Sequence, residues 1–152
     1  MSLWNKLFGG SDDPGRVDYY VEGLELLKDG KFHEALTSFR LALKENPGDP
    51  VVLQQIAIAY TRIGMTEEAA KTYRHVLKSN PDAAGAHYGL AFLYLRGGHH
   101  EEGVRHLKAF LQNAPNTPDA GEHVAHARAT LAQLTGEALD APRAPMEGER
   151  GY

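Results

Sequence analysis

Histidine is the residue type with the widest chemical scope in this chain, and there are eight of them. His99, His100 and His106 gather at the start of one stretch of helical periodicity, and His123 and His126 stand three residues apart on another. Two imidazoles at i and i+3 on a helix can share a metal ion. Zinc needs three protein ligands, however, and the spacing forces no carboxylate or further imidazole beside either group. The expectation is polar surface histidines, with no metal and no cofactor. Cysteine is absent, which removes disulfides, thiolate ligands and a cysteine nucleophile together. No Gly-rich phosphate loop, no G-x-S-x-G and no H-E-x-x-H occurs. The chain is not expected to be an enzyme.

Charge narrows the partners. Sixteen basic and twenty acidic residues leave a net charge of -4, without the concentrated basic face that phosphate binding needs, so nucleic acid is not an expected partner. The apolar run Gly89 to Leu95 is far below the ~18 residues that span a bilayer. The first residues, MSLWNKLFGG, carry one lysine, a very short apolar patch and no small-residue cleavage site, unlike a signal peptide. The expected location is cytoplasmic, with peripheral membrane contact as the variant discussed below.

The elements that must position these side chains are set by a repeat. Pro47, Pro81 and Pro115 are evenly spaced, since 81 − 47 = 34 and 115 − 81 = 34. Gly30, Gly64 and Gly98 keep the same step, as do Glu34, Glu68 and Glu102, and Leu43, Leu77 and Leu111. The glycines fall where one helix stops and the chain turns, a place that favours the left-handed conformation. The glutamates fall in the next helix's first turn, where negative charge suits the helix dipole. The leucines lie on that helix's buried stripe, and the prolines stop it. Asp49-Pro50 and Thr117-Pro118 read as N-caps followed by proline at the first helical position.

This predicts an all-α protein: helices over 16–29, 32–45, 50–63, 66–79, 84–97 and 100–113 as three hairpins, then a seventh over 118–135. Residues 1–15 form an N-terminal amphipathic segment and linker, 16–135 the array with its capping helix, and 136–152 an Ala-, Pro-, Gly- and Glu-rich tail expected to be disordered.

The period and residue types resemble the tetratricopeptide repeat, with its W-x2-L-G-x2-Y, A-x3-F and P positions. Repeat one offers Tyr19, Glu22, Gly23 and Leu26, then Ala35, Phe39 and Pro47. Repeat two offers Leu53, Ile56, Ala57 and Tyr60, then Ala69, Tyr73 and Pro81. Repeat three offers His87, Leu90, Ala91 and Tyr94, then Gly103, Leu107 and Pro115, and departs most at His87 and Gly103, which makes its packing the weakest of the three. The resemblance covers roughly residues 16–117 and implies a right-handed α-solenoid of three helix-turn-helix repeats plus a C-terminal capping helix. In that cap Val124, Ala125, Leu131 and Leu134 are expected to pack inward, with Asp119, Glu122, His123, Arg128 and Gln133 toward water.

The resemblance also implies that the first helix of each hairpin lines a concave groove. Its ligand-facing positions hold Val17, Tyr20, Leu24, Leu27 and Lys28, then Val51, Gln54, Ile58, Thr61 and Arg62, then Gly85, Tyr88, Phe92, Leu95 and Arg96. Family members that clamp the acidic C-terminus of chaperones use Lys and Asn in the columns that hold Tyr20, Leu24 and Ile58 here, so that specificity is set aside. Leu24, Ile58 and Phe92 form one apolar column, edged by a basic ladder of Lys28, Arg62 and Arg96. The implied activity is that of a protein-binding adaptor or scaffold, holding an amphipathic or apolar peptide or helix of another protein. The alternative is a structural module that self-associates through its groove or ends. A second ladder, Arg40, Arg74 and Lys108, reads as a solvated face paired with glutamates. Leu3, Trp4, Leu7 and Phe8 would share one face of a helix over 2–8, for which an N-terminal cap, docking on a protein surface and peripheral membrane contact are the three roles considered.

Overall fold

The structure, a computed structural model, describes residues 17–136. The expectations for Leu3, Trp4, Leu7, Phe8 and the C-terminal tail lie outside the described residues. Seven α-helices and no strand are found among them: α1 (Tyr19–Lys28), α2 (Phe32–Glu45), α3 (Pro50–Ile63), α4 (Thr66–Ser79), α5 (Ala84–Arg96), α6 (His100–Asn113) and α7 (Pro118–Thr135). Five helices coincide with the expected ranges. The first starts three residues later than expected, because Asp18 caps it: its carboxylate accepts from the Tyr20 and Val21 amides at 3.1 and 3.2 Å. The fifth stops at Arg96, one residue early, where Gly97 and left-handed Gly98 take over.

The repeated punctuation works as its chemistry suggests. Gly30, Gly64 and Gly98 have φ of 80, 98 and 83° and turn the chain between helices. The Asp49 carboxylate accepts from the Val51 amide at 3.0 Å, directly before Pro50 opens α3. Thr117 differs from the expectation: Pro118 opens α7, but the Thr117 side chain makes no capping hydrogen bond. Leu43, Leu77 and Leu111 are half-buried rather than fully enclosed.

The residues divide into two compact units, with the boundary after Met65 between α3 and α4. The first holds α1, α2 and α3. Phe39 is fully enclosed against Gly23, where an added Cβ would lie 2.5 Å from the Phe39 ring edge. Glycine is therefore required by contact there, not by backbone conformation. Ala35, Leu36, Val52, Ile56, Ala57, Ala59 and Tyr60 are buried with Phe39. Ser38, also buried, donates to the Glu22 carboxylate at 3.3 Å, which satisfies its hydroxyl. Arg40 on α2 donates to the Tyr60 hydroxyl on α3, and its guanidinium lies over the Tyr60 ring, 5.7 Å from the centroid.

The second unit holds α4, α5, α6 and α7. Tyr73 of α4 lies across Gly89 of α5, and Leu95 of α5 lies across Gly103 of α6; a Cβ at either glycine would overlap its neighbour. Arg74 donates to the Tyr94 hydroxyl at 3.2 Å. The contact thus recurs 34 residues after Arg40 and Tyr60 (74 − 40 = 34, 94 − 60 = 34). The second basic ladder is exposed at Arg40, Arg74 and Lys108, and at Arg40 and Arg74 it meets tyrosine hydroxyls, a contact the sequence reading did not foresee. Leu107 and Phe110 of α6 are buried with Ala127 and Leu131 of α7. Each enclosed leucine contributes about 1.5–3 kcal/mol, so α7 is held by a small true core.

The inward stripe of α7 is Val124, Ala127 and Leu131, whereas Ala125 is exposed and Leu134 is 37% exposed. The reason is positional. Ala125 continues the close-approach column of Gly23, Ala57 and Ala91 by one step of 34 (125 − 91 = 34), but α7 has no following helix among the described residues to approach it.

Candidate protein-binding site

In the first unit, the first-helix residues named by the repeat lie at the edge of the core. Gly23 is buried and Ala57 fully so, while their neighbours Leu24 and Ile58 are half-buried and so keep apolar surface toward solvent. Leu27 and Gln54 are also half-buried. Val17, Val21 and Val51 are 48, 46 and 52% exposed, which adds apolar surface at the start of α1 and α3. Tyr20 is half-buried, its ring 6.1 Å from that of Phe39. Burial pushes its phenol above the ordinary value, with the Asp49 and Asp18 carboxylates adding to the effect, so it stays a neutral hydrogen-bonding group. Lys28 is exposed. The Arg62 guanidinium lies over the Phe32 ring, 4.7 Å from its centroid, which orients one rung of the first ladder.

In the second unit the candidate residues are shared with α7. Tyr88 meets Phe92 and Phe110 at centroid distances of 4.9 and 5.0 Å, and the edge of His123 at 4.9 Å. Its hydroxyl is 2.9 Å from His126 Nδ1. Burial raises the Tyr88 pKa. His126 in turn lies flat on Phe92, centroids 4.7 Å apart and planes 3° apart. Tyr88 and Phe92 are half-buried. Leu95 is turned onto Gly103 and the core around Leu107, so it serves hairpin packing more than an outward face. Arg96 is exposed at the end of α5.

The residues the sequence reading missed are thus His123 and His126. A signal was available. Continuing the 34-residue step from Leu24, Ile58 and Phe92 reaches His126 (126 − 92 = 34), because α7 takes the place of a further first helix.

The other histidines disperse. His106 turns inward and stacks on Tyr94, centroids 5.6 Å apart, with its Nδ1 3.0 Å from His87 Nδ1. It is a partnered, half-buried group, not the surface histidine expected. His99 meets the edge of Tyr94 at 6.1 Å, and His100 lines an open hollow with Glu101, Val104 and Leu134. Among the described residues no group of three His, Cys, Asp or Glu side chains is placed to hold a metal ion. No helix among them is long and apolar enough to cross a membrane.

Helical hairpins on a 34-residue step, closed by an extra helix and carrying half-buried apolar residues on their first helices, define an α-solenoid of helical repeats. The tetratricopeptide repeat family matches over residues 26–84 and 64–126, and the chain belongs to that family. No curated protein matches the sequence. Among solved structures, the type III secretion translocator chaperone SycD of Yersinia enterocolitica is similar with a TM-score of 0.71 at 15% identity, covering 77% of this chain and 89% of that one. It has also been solved with a peptide of the translocator YopD. PcrH of Pseudomonas aeruginosa is similar with a TM-score of 0.70 at 18% identity, covering 77% of this chain and 89% of that one. The first such domain of Spaghetti, bound to the HSP90 peptide SRMEEVD, has a TM-score of 0.63 at 21% identity and covers 75% and 90%. At these identities the likeness is one of fold.

Proposed function

We propose that this chain is a protein-binding adaptor that holds an amphipathic or apolar peptide segment of a partner on its first-helix faces. The observation that carries this reading is the contrast along one column. Leu24, Ile58 and Phe92 keep exposed apolar surface, while the small residues beside them, Gly23, Ala57 and Ala91, are buried. Apolar side chains that recur at one register position and are only partly enclosed by the core offer binding area of about 25 cal/mol per Å² covered. Lys28, Arg62 and Arg96 stand at the ends of the same helices and suit acidic groups flanking the apolar segment. Fold relatives solved with peptides, SycD with one from YopD and PcrH with the chaperone binding region of PopD, support the reading by analogy. The residues at Tyr20, Leu24 and Ile58 argue against the carboxylate clamp of chaperone adaptors.

The experiment is a quantitative pull-down with the wild type and with Leu24→Ser/Ile58→Ser, chosen because half-buried positions tolerate a polar residue better than the core does. Loss of the captured partner with unchanged helicity supports the reading. Retained capture overturns it. Light scattering over a concentration series separates this from self-assembly, in which molar mass rises with concentration.

A further inference from the structure

His87 and His106 form a polar pair inside the α5–α6 hairpin that peptide binding does not use. His87 is 9% exposed. Its Nε2 lies 2.7 Å from the Pro81 carbonyl oxygen, which can only accept, so Nε2 carries a hydrogen. In a neutral His87 the Nδ1 is then a bare acceptor. The 3.0 Å approach of the two Nδ1 atoms therefore requires the hydrogen to sit on His106 Nδ1. Both tautomers are fixed by one backbone carbonyl.

This geometry limits how many protons the pair can hold. A first added proton is accommodated on either ring, because the pair can still place one hydrogen between the two Nδ1 atoms, with one donating and the other accepting. A second puts a hydrogen on both Nδ1 atoms. Two N–H groups then face each other across 3.0 Å, the hydrogen bond is gone, and two cations adjoin in a half-closed site. We propose that the His87–His106 pair is a proton-operated latch, which holds α5 to α6 while it carries at most one proton and opens when both rings are charged.

The surroundings agree. His106 is pushed down to about 4, first by burial, then by His87 and by Arg105 on its own helix, with Glu102 opposing. From α5, Tyr94 covers the His106 ring, and that Tyr94 is itself bonded by Arg74 of α4 and met by the edge of His99. Of the charged neighbours only Glu102 favours a charged His106. Because the folded value is depressed below the ordinary ~6.5 of the unfolded chain, the unfolded state binds more protons between the two. The latch therefore contributes fully above pH ~6.5, and its contribution fades as pH falls toward about 4. The device belongs to one repeat alone. The equivalent positions one and two steps earlier hold Leu53 with Thr72, and Tyr19 with Ser38, none of which titrates as histidine does.

Those earlier repeats supply the control. The full chain and its His87→Leu/His106→Thr variant, which installs the pair found in repeat two, are melted at pH 7 and at pH 4.5. Carboxylate protonation lowers both melting temperatures. The latch predicts that the wild type falls by several degrees more than the variant. Equal falls would overturn it. Ring-nitrogen NMR of the wild type gives an answer that does not depend on how well the variant folds. At pH 7 the hydrogen is expected on His87 Nε2 and on His106 Nδ1, with His106 titrating well below an ordinary histidine. The opposite tautomer on His106, or an ordinary midpoint, overturns the proposal.

Discussion

The His126 imidazole lies parallel to the Phe92 ring, 4.7 Å from it, and the two residues are one repeat length apart (126 − 92 = 34). Equivalent positions of α5 and α7 are thus in direct contact. The register position that holds Phe92 in α5 holds a ring with a polar edge in α7, so α7 both caps the last hairpin and adds to the face proposed for binding. His126→Ala should remove the stack and the contact with the Tyr88 hydroxyl. An aromatic pair contributes about 0.5–1.5 kcal/mol beyond its area, so a small fall in melting temperature is expected. An unchanged melting curve would show that α7 is held by Leu107, Phe110, Ala127 and Leu131 alone.

The binding reading predicts that Phe92→Ala with Arg62→Glu abolishes partner capture while helicity is retained. One change removes the aromatic anchor and the other reverses the charge held over Phe32. Recovery of the same partner at wild-type yield would place binding on another surface.

Ala57→Leu should be severely destabilising. Ala57 is 0% exposed on α3, and overpacking a site of that kind costs about 1–3 kcal/mol or more. A melting temperature equal to wild type would mean that the repeat register is misplaced.

Two glycine-to-alanine changes should behave oppositely. Replacing glycine inside a helix gains about 0.5–1 kcal/mol from the unfolded chain. At Gly23 that gain is outweighed, because the new Cβ meets the ring of Phe39, which is 0% exposed and has nowhere to go. At Gly103 the obstacle is the half-buried Leu95 side chain, met at both Cδ2 and Cγ, which is not enclosed and can turn about its χ1 bond. Gly23→Ala should therefore lower the melting temperature and Gly103→Ala leave it level or raise it. The reverse order in a thermal melt would contradict this account of the two contacts.

Much of this was legible in the residues. Proline, glycine and N-cap chemistry act within a few residues, so the step of 34 placed the helices to within three positions. The buried small residues Gly23, Ala35, Ala57, Ala69 and Ala91 followed from the same register. Relations between non-adjacent side chains were not legible. Arg40 looks like a solvated cation because nothing local shows that Tyr60 comes within reach of it. His87 looks like a departure of the third repeat and His106 like a surface histidine, yet they satisfy each other, and His87 also meets the Pro81 carbonyl. Ala125 was assigned inward because periodicity does not record where a stack of helices runs out of neighbours.

Tyr60 is 9% exposed and receives a hydrogen bond from Arg40. Tyr60→Phe keeps the ring and removes that bond, at a cost of about 0.5–1.5 kcal/mol, readable as a shift in denaturant midpoint with unchanged slope. The arginine–tyrosine contact also defines how one helix accepts the next, and the chain withdraws it at its end. The spacing of 20 that joins Arg40 to Tyr60 and Arg74 to Tyr94 joins Lys108 to Arg128 (60 − 40 = 94 − 74 = 128 − 108 = 20). Two cations cannot reproduce a donor–acceptor pair. The third hairpin is therefore joined to the helix after it on other terms, through the apolar contact of Leu107 and Phe110 with Ala127 and Leu131.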